Sequence, residues 1–421
     1  MTRLGVALSA GLLAALALAA FAWFTPPGPS QETDDVIAAR LQAMGYVDWA
    51  PVRRAEARRG VVRHDPSRAE AGLNLFGSRS LGKAWLVDMA GETLHTWESS
   101  DPEAHWNHVE SLPDGELLVI DRASAVERLD RSSRTRWRTA LGAHHDLAID
   151  AEGRIYALVA GVGSTWWAGR ELPIIDESVV VLSPQGEITR RIELDPVLQQ
   201  FISEERLDAL ASATRGPLHW WRRLRGERIV EGVSDVYHAN SIEILRRDVP
   251  GVGERGDALI SFRNLDRVAV IDLDGPSVRW SFGPGVVDGQ HQASLLPNGN
   301  ALVFDNGRRR GWSRVVEVDP AGELVWAWSG ASPASLFSRL QGAAEALPGG
   351  NVLVTESQEG RVYEVTPDGA IVWEFAHPDL DPDRGARRSI YRMTRLFPPE
   401  NGDVVERSTG DRVERSLPPD G

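Results

Sequence analysis

The feature that most constrains this chain is a repeat that begins and ends on different halves of the same unit. One half is an apolar run, a Pro/Asp-x-Gly turn and a second apolar run. It recurs as "VESLPDGELLVID" (109–121), "LAIDAEGRIYAL" (147–158), "ASLLPNGNALVFD" (293–305) and "AEALPGGNVLVTE" (344–356). The other half is a hairpin closing on an aromatic residue, as in "AWLVDMAGETLHTW" (84–97), "AVERLDRSSRTRW" (125–137), "RVVEVDPAGELVWAW" (314–328) and "RVYEVTPDGAIVWEF" (361–375). Weaker copies occupy 178–194, 238–262 and 267–280. Turn glycines between alternating apolar residues are β-hairpin signals, and repetition at this period marks a repeat architecture.

The chain opens on an outer hairpin (84–97) and closes on a lone inner one, "RMTRLFPPENGDVVE" (392–406). A linear stack would leave both halves with open edges. Joining them gives an all-β, six-bladed β-propeller closed by pairing the C-terminal hairpin with the first blade. The propeller is expected over 73–408, with a helical and loop insertion at 195–237 and a flexible tail at 409–421. Residues 26–72 read as a short helix, around "DVIAARLQAMGYV", and a polar linker. Before them, residues 4–24 are uncharged and mostly apolar, long enough to span a bilayer, so residues 1–25 are expected to be a signal anchor or signal peptide. The body of the chain is then exported, periplasmic or at the cell surface, with the membrane as a partner through that helix.

Composition removes several chemistries. The 421 residues contain no cysteine, which excludes disulfides, thiolate metal sites and cysteine nucleophiles. A net charge of −14 with no isolated basic block argues against nucleic acid as a partner. There is no P-loop and no G-x-S-x-G elbow.

Aligning the inner hairpins on their turn glycines makes Asn107, His145, His238, His291, Gly342 and Arg392 the residues that open the six innermost strands. These strands line the central channel and start at one face, so His145, His238 and His291, from consecutive blades, should crowd one side of its mouth. Antiparallel pairing sets Arg263 across from His238, and Asp305 and Asn306 across from His291. Asn240 shares a strand side with His238. The insertions 159–177 and 195–237 should rise from the same face, and Trp166 and Trp167 in the first could wall a pocket for a flat ring. For His95, His105, His219 and His377 the bland reading of a satisfied surface residue is preferred; His144 is at best a neighbour supporting the site, and His108 is ambiguous.

Three imidazoles could in principle hold a metal, but Arg263 beside them would repel a cation, so neither a metal nor a cofactor is expected. An anionic tetrahedral group fits better, because arginine and protonated histidine donate charge-assisted hydrogen bonds to its oxygens. With no cysteine, lysine or serine motif to compete, a histidine is the natural nucleophile for sulfuryl or phosphoryl transfer.

The segments "GQHQASLLPNGNALVFDNG", "YHANSIEIL" followed by "SFRNL", and "HHDLAID" together resemble the bacterial arylsulfate sulfotransferases, over about residues 74–400. The resemblance implies a six-bladed propeller that passes sulfate from an aryl sulfate to a phenol by a ping-pong route, without a nucleotide-sulfate donor. It implies His291 as the nucleophile that becomes transiently sulfated. His145, His238 and Arg263 would hold the sulfuryl oxygens, with Asn240 assisting and Asn306, Asp305, Trp166, Trp167 and Arg392 as further candidate substrate contacts. The best-known members are longer, with a dimerising N-terminal β-domain and a disulfide near the site. This chain has no cysteine, and its oligomeric state is left open. The rival reading from another class is a membrane-tethered propeller that binds an anionic ligand or protein partner without chemistry.

Overall fold

The computed structural model describes residues 49–51, 58–397 and 406–407, except 79–80, 122–123, 214–233, 333–334, 382 and 384. Six antiparallel sheets follow one another around a central channel, and in the second to sixth the first strand is innermost. In chain order the second to sixth blades span 106–140, 143–193, 239–282, 291–328 and 343–376. The first blade is completed last: Met393–Phe397 supplies its innermost strand and pairs with Leu73–Gly77, Met393 opposite Phe76 and Leu396 opposite Leu73. Closure therefore runs through the antiparallel C-terminal pair Met393–Phe397 and Glu406–Arg407, as expected for 392–406, with Leu73–Gly77, not assigned as a strand from the sequence, between that pair and the hairpin at 84–97.

The reason for six blades is visible in the apolar packing. Second and third strands carry continuous Val/Ile/Leu runs buried on both faces, such as Leu117–Asp121 and Val352–Glu356. Those faces can be covered only by the next blade. The six apolar clusters accordingly sit one at each junction between neighbours, from Leu118, Val126 and Leu147 between the second and third blades to Phe76, Val362 and Trp373 between the sixth and the first. The tryptophans that end the outer hairpins add a directional tie. Trp137, Trp280, Trp326 and Trp373 donate their indole N–H to backbone oxygens of Pro184, Pro320, Pro367 and Met89, each in the following blade. Gly186 permits the first of these contacts, since a Cβ there would lie 2.5 Å from the Trp137 ring.

Two expectations about the flanks change. Gly60–His64, expected in a linker, is a fifth strand on the outer edge of the sixth blade, Val61 opposite Phe375. Trp49–Pro51 joins a small side sheet with 380–381 and 386–388. The insertion at 195–237 does carry helices, at Asp195–Leu198 and Glu204–Ala213, and 159–177 prolongs one hairpin into two 13-residue strands. The apolar segment 4–24, the expected helix at "DVIAARLQAMGYV" and the tail 409–421 lie outside the described residues. Among the described residues no helix is long and apolar enough to cross a membrane.

The closing strand is fastened by a fully buried guanidinium. Arg395 donates to Glu364 at 3.1 Å, to Asn74 at 2.6 Å and to the backbone oxygen of Glu70, and lies over the Trp373 ring. Removing one partner of such a cluster strands a charge in the interior. Arg395→Ala is expected to lower unfolding stability by ~3–5 kcal/mol, read from the shift in a denaturant midpoint. A midpoint within error of the parent would mean that the clasp contributes nothing to closure.

Candidate functional site

The innermost strands of the second to fifth blades begin with an irregularity in their pairing to the second strand. Register shifts lie between Trp106 and His108, between Ala143 and Leu147, between Ala239 and Ser241, and between His291 and Ala293. Within the third and fifth blades' shifts His145 takes φ of +58° and Gln292 +36°, and just before the fourth blade's shift His238 takes +54°. Left-handed backbone at non-glycine residues costs on the order of 1–3 kcal/mol and persists only where surroundings hold it. Here they do: the Tyr391 hydroxyl donates to the His145 carbonyl at 2.8 Å, and the Arg263 N–H donates to the His238 carbonyl at 3.0 Å. The result brings the His145 and His238 rings into an edge-on contact 4.7 Å between centroids.

His291 is buried, with its tautomer set by Asn306. The Asn306 amide nitrogen donates to the carbonyls of Ser338 (2.6 Å) and Gln341 (2.8 Å), which leaves its Oδ1 facing His291 Nδ1 at 2.8 Å. An amide oxygen only accepts, so Nδ1 carries the hydrogen and the Nε2 lone pair is free. Nε2 is buried without a hydrogen-bond partner among the described residues. Burial, then the Arg263 charge, holds the imidazole well below its ordinary pKa, with His238 and Arg308 adding to the effect. A neutral, oriented imidazole nitrogen with a free lone pair has the chemistry of a nucleophile or of a hydrogen-bond acceptor.

Arg263 is buried too; among the described residues its Nε has no hydrogen-bond partner, and its side chain makes a long contact, 3.4 Å, to Asn264. The Asn240 amide donates to the Gln290 carbonyl at 2.8 Å, and among the described residues its Oδ1 has no partner. His145, His238, Asn240 and His291 thus lie at the starts of innermost strands, and Arg263 and Asn306 just past the ends of the second strands beside them, in the third to fifth blades.

Two carboxylates that the sequence reading did not single out stand behind the imidazoles. Asp235 Oδ2 lies 2.7 Å from His238 Nδ1. Burial would raise that carboxyl, but the His238 charge and hydrogen bond, with Arg263 and His144, bring it below the usual carboxylate range. Arg206, from the inserted helix, and Asn264 both donate to the Asp235 carbonyl, fixing the loop. Glu177 holds His144 Nε2 at 3.0 Å, and His144 Nδ1 meets His145 Nδ1 at 2.7 Å, a buried Glu177–His144–His145 chain. The signal that could have found both is position: each lies in or beside an insertion flanking a histidine strand.

Other candidates are used differently. Asp305 is fully buried and saturated by the Asp288 N–H, Arg314 and Arg310, so it braces the blade and offers nothing to a ligand. Arg392 forms a two-pronged pair with Asp146, at 3.0 and 3.2 Å. Trp166 is 63% exposed at the tip of the long hairpin, and Trp167 donates to Asp208 on the inserted helix at 2.8 Å. His108 lies 3.5 Å from both Glu110 and Asp146. His95 meets the Arg131 carbonyl and His105 is exposed, as expected. His377 is instead buried against Phe76 and Trp85, and burial pushes it down to about 3; His219 lies outside the described residues.

A channel cavity of about 550 Å³ opens at the opposite end of the ring, and Asp146, Gln292 and Arg392 line it while the three histidines do not. Among the described residues no three His, Asp or Glu side chains are spaced to hold a metal ion.

Among solved structures, a protein of unknown function from Bacteroides caccae is similar at 13% identity over 77% of this chain and 98% of that one, with a TM-score of 0.51. Streptogramin B lyase (11% identity, 85% of this chain and 93% of the other, TM-score 0.45) and virginiamycin B lyase from Staphylococcus aureus (12%, 69% and 71%, TM-score 0.37) are also similar. At these identities the first likeness speaks to the fold alone. No curated protein matches the chain in sequence. A family-level match described as "Arylsulfotransferase (ASST)" covers residues 108–377, more than half of the chain, including His145, His238, Arg263 and His291. The chain therefore belongs to the arylsulfotransferase family, a family of sulfotransferase enzymes.

Proposed function

We propose that this enzyme moves a sulfuryl group from an aryl sulfate to a phenol in two half-reactions through His291. The observation that carries the reading is the Nε2 of an Asn306-oriented imidazole, without a hydrogen-bond partner among the described residues, held neutral by burial and by the neighbouring Arg263 charge. In the first half, the Nε2 lone pair attacks sulfur, the bond from sulfur to the aryl oxygen breaks, and phenolate leaves with its electron pair. A phenolate (pKa ~10) needs little acid assistance. The Nδ1–H bond to Asn306 then stabilises the positive charge on the sulfated ring. Arg263 and the imidazoles of His145 and His238 face the equatorial oxygens, where fixed donors in a dehydrated site are most effective.

In the second half, an acceptor phenol attacks sulfur, its proton passes to a base, and the N–S bond returns its pair to Nε2. His238 suits the base role, because Asp235 receives its Nδ1–H and stabilises the imidazolium that forms. His145 suits the oxygen-holding role: a proton on its Nε2 is balanced by Glu177 through His144. No cofactor enters either step. The same reading places the enzyme outside the cytoplasm, held to the membrane by residues 4–24, whose uncharged apolar run is its support.

The full-length chain, supplied with 4-nitrophenyl sulfate, should release nitrophenolate faster when phenol is added, and His291→Ala should abolish release. Silence across several aryl sulfates from folded protein would leave the non-catalytic binding propeller as the better reading. Arg263→Lys should lower kcat/KM roughly 100-fold or more, because a point charge cannot present a planar fork to sulfuryl oxygens. Unchanged kinetics there would mean that Arg263 does not touch the group.

The pH dependence has a definite sign. A histidine held below 6.5 keeps its lone pair as pH falls past that value, and loses it only at the depressed pKa. The pre-steady-state burst of nitrophenolate, quenched into alkali, should therefore show no loss centred near pH 6.5. A burst halved at that pH would contradict the neutral nucleophile.

A further inference from the structure

The loop after Asn306 carries three consecutive arginines, 308–310, and the structure uses them unequally. Arg309 is exposed and pairs with Asp266 at 2.7 Å and Asp288 at 3.3 Å. Arg310 pairs with Asp305 at 3.1 Å and lies over the Trp312 ring, 4.2 Å from its centroid. Among the described residues the carboxylate oxygen within ion-pair distance of Arg308 is Asp266 Oδ1 at 3.8 Å, which already accepts the Gly289 N–H at 2.7 Å, with Asp288 acting from further off. Its Nε is buried with no hydrogen-bond partner among the described residues.

Arg308 is also placed with care. Its guanidinium rests on the backbone of Gly289, two residues before His291. A Cβ at Gly289 would lie 2.1 Å from Arg308 Nε and 2.9 Å from Cζ, and the residue sits at φ +66°. Only glycine allows that approach. Arg263 and Arg308 therefore both act on the same imidazole, and the Arg263 charge works against that of Arg308, which Asp266 and Asp288 offset only in part. An anion arriving there would be met by both guanidiniums.

A sulfuryl ester carries one negative charge, which Arg263 and the imidazoles already meet if the sulfotransfer reading above, on which this step rests, is right. We propose that Arg308 binds a second anionic group on the aromatic substrate, so that the site selects aryl sulfates and phenols bearing a carboxylate or a further sulfo group on the ring. The second charge lies on the ring substituent, so it is present in donor and acceptor alike. Arg308 is then a specificity residue that acts on the part of the substrate that does not react.

The test uses ligands that cannot transfer, because carbon replaces the bridging oxygen. Calorimetry at physiological salt compares benzenesulfonate with 3- and 4-sulfobenzoate on the full-length chain. The wild-type protein should bind one sulfobenzoate at least about tenfold tighter than benzenesulfonate, the scale of one charge-assisted contact. Arg308→Gln should bring that ratio close to one. Gly289→Ala, which displaces the guanidinium without removing it, should do the same, and Arg308→Lys should keep part of the preference. Equal wild-type affinities, no measurable binding of any of the three, or an equal loss for all ligands in Arg308→Gln would each overturn the proposal. Turnover of 4-nitrophenyl sulfate by the wild type is read in parallel. Preference without turnover removes the transfer reading and keeps the subsite, whereas turnover without preference does the reverse.

Discussion

Everything at the channel mouth depends on how the ring is closed. A propeller without closure has an exposed sheet edge and an uncovered apolar face, and here one strand, Met393–Phe397, removes both. Arg395 within it is bonded to Asn74 and Glu364 at once, so it joins the N-terminal strand, the C-terminal strand and the sixth blade. The residues just before that strand reach the site. Tyr391 bonds the carbonyl of His145, and Arg392 grips Asp146, whose Oδ2 also accepts the Ile242 N–H of the neighbouring blade. Closing the ring and bracing the third blade's histidine are therefore one event. The last strand to join the sheet also supplies the contacts that hold a left-handed residue in place.

That coupling explains why strained backbone can persist in an otherwise regular fold. A regular innermost strand would alternate its side chains between the two faces of a tightly packed blade. A bulge at the strand start re-aims a side chain without disturbing the rest of the ladder. Three consecutive blades use that device, at His145, His238 and Gln292. At His145 and His238 the carbonyl turned out of the ladder is met by a donor from a neighbouring segment, the Tyr391 hydroxyl and the Arg263 backbone N–H. The imidazoles are thus positioned by backbone geometry first and by side-chain partners second. Asn306, fixed by two carbonyls, does for His291 what Asp235 does for His238, but with a neutral acceptor. That difference suits a nucleophile, which must stay uncharged, as against a base, whose cation must be stabilised.

The blade count and the grouping of three histidines were legible because both follow from one periodicity. Turn glycines fix the register of each inner hairpin, and register fixes which residue opens the strand. The same logic placed Arg263 and Asn306 across from their histidines. It failed where a side chain chooses among partners. Asp305 and Arg392 sit at the positions the register assigned, yet one is saturated by two arginines and the other by Asp146. Glu177 and Asp235 were invisible because insertions do not repeat, so no alignment marks them. Strand Leu73–Gly77 was missed as the partner that closes the ring because a lone strand carries no hairpin signal. Gly60–His64 lay hidden in a polar stretch because an outermost strand need not be apolar.

The local charge runs against the whole. A chain of net charge −14 repels anions at long range, but exposed charges are screened beyond about 8–10 Å in physiological salt. Buried groups are not screened in the same way, so the potential felt by a ligand at the mouth is set by the few charges lining it. There the carboxylates stand behind the imidazoles or are taken up by neighbouring arginines: Glu177 by His144, Asp235 by His238, Asp266 and Asp288 by Arg309, Asp305 by Arg310 and Arg314. What remains facing inward is cationic and polar. In an acidic protein the local pairing of carboxylates with Arg309, Arg310 and Arg314 thus leaves Arg263 and Arg308 as the charges an anion would meet in the proposed reaction.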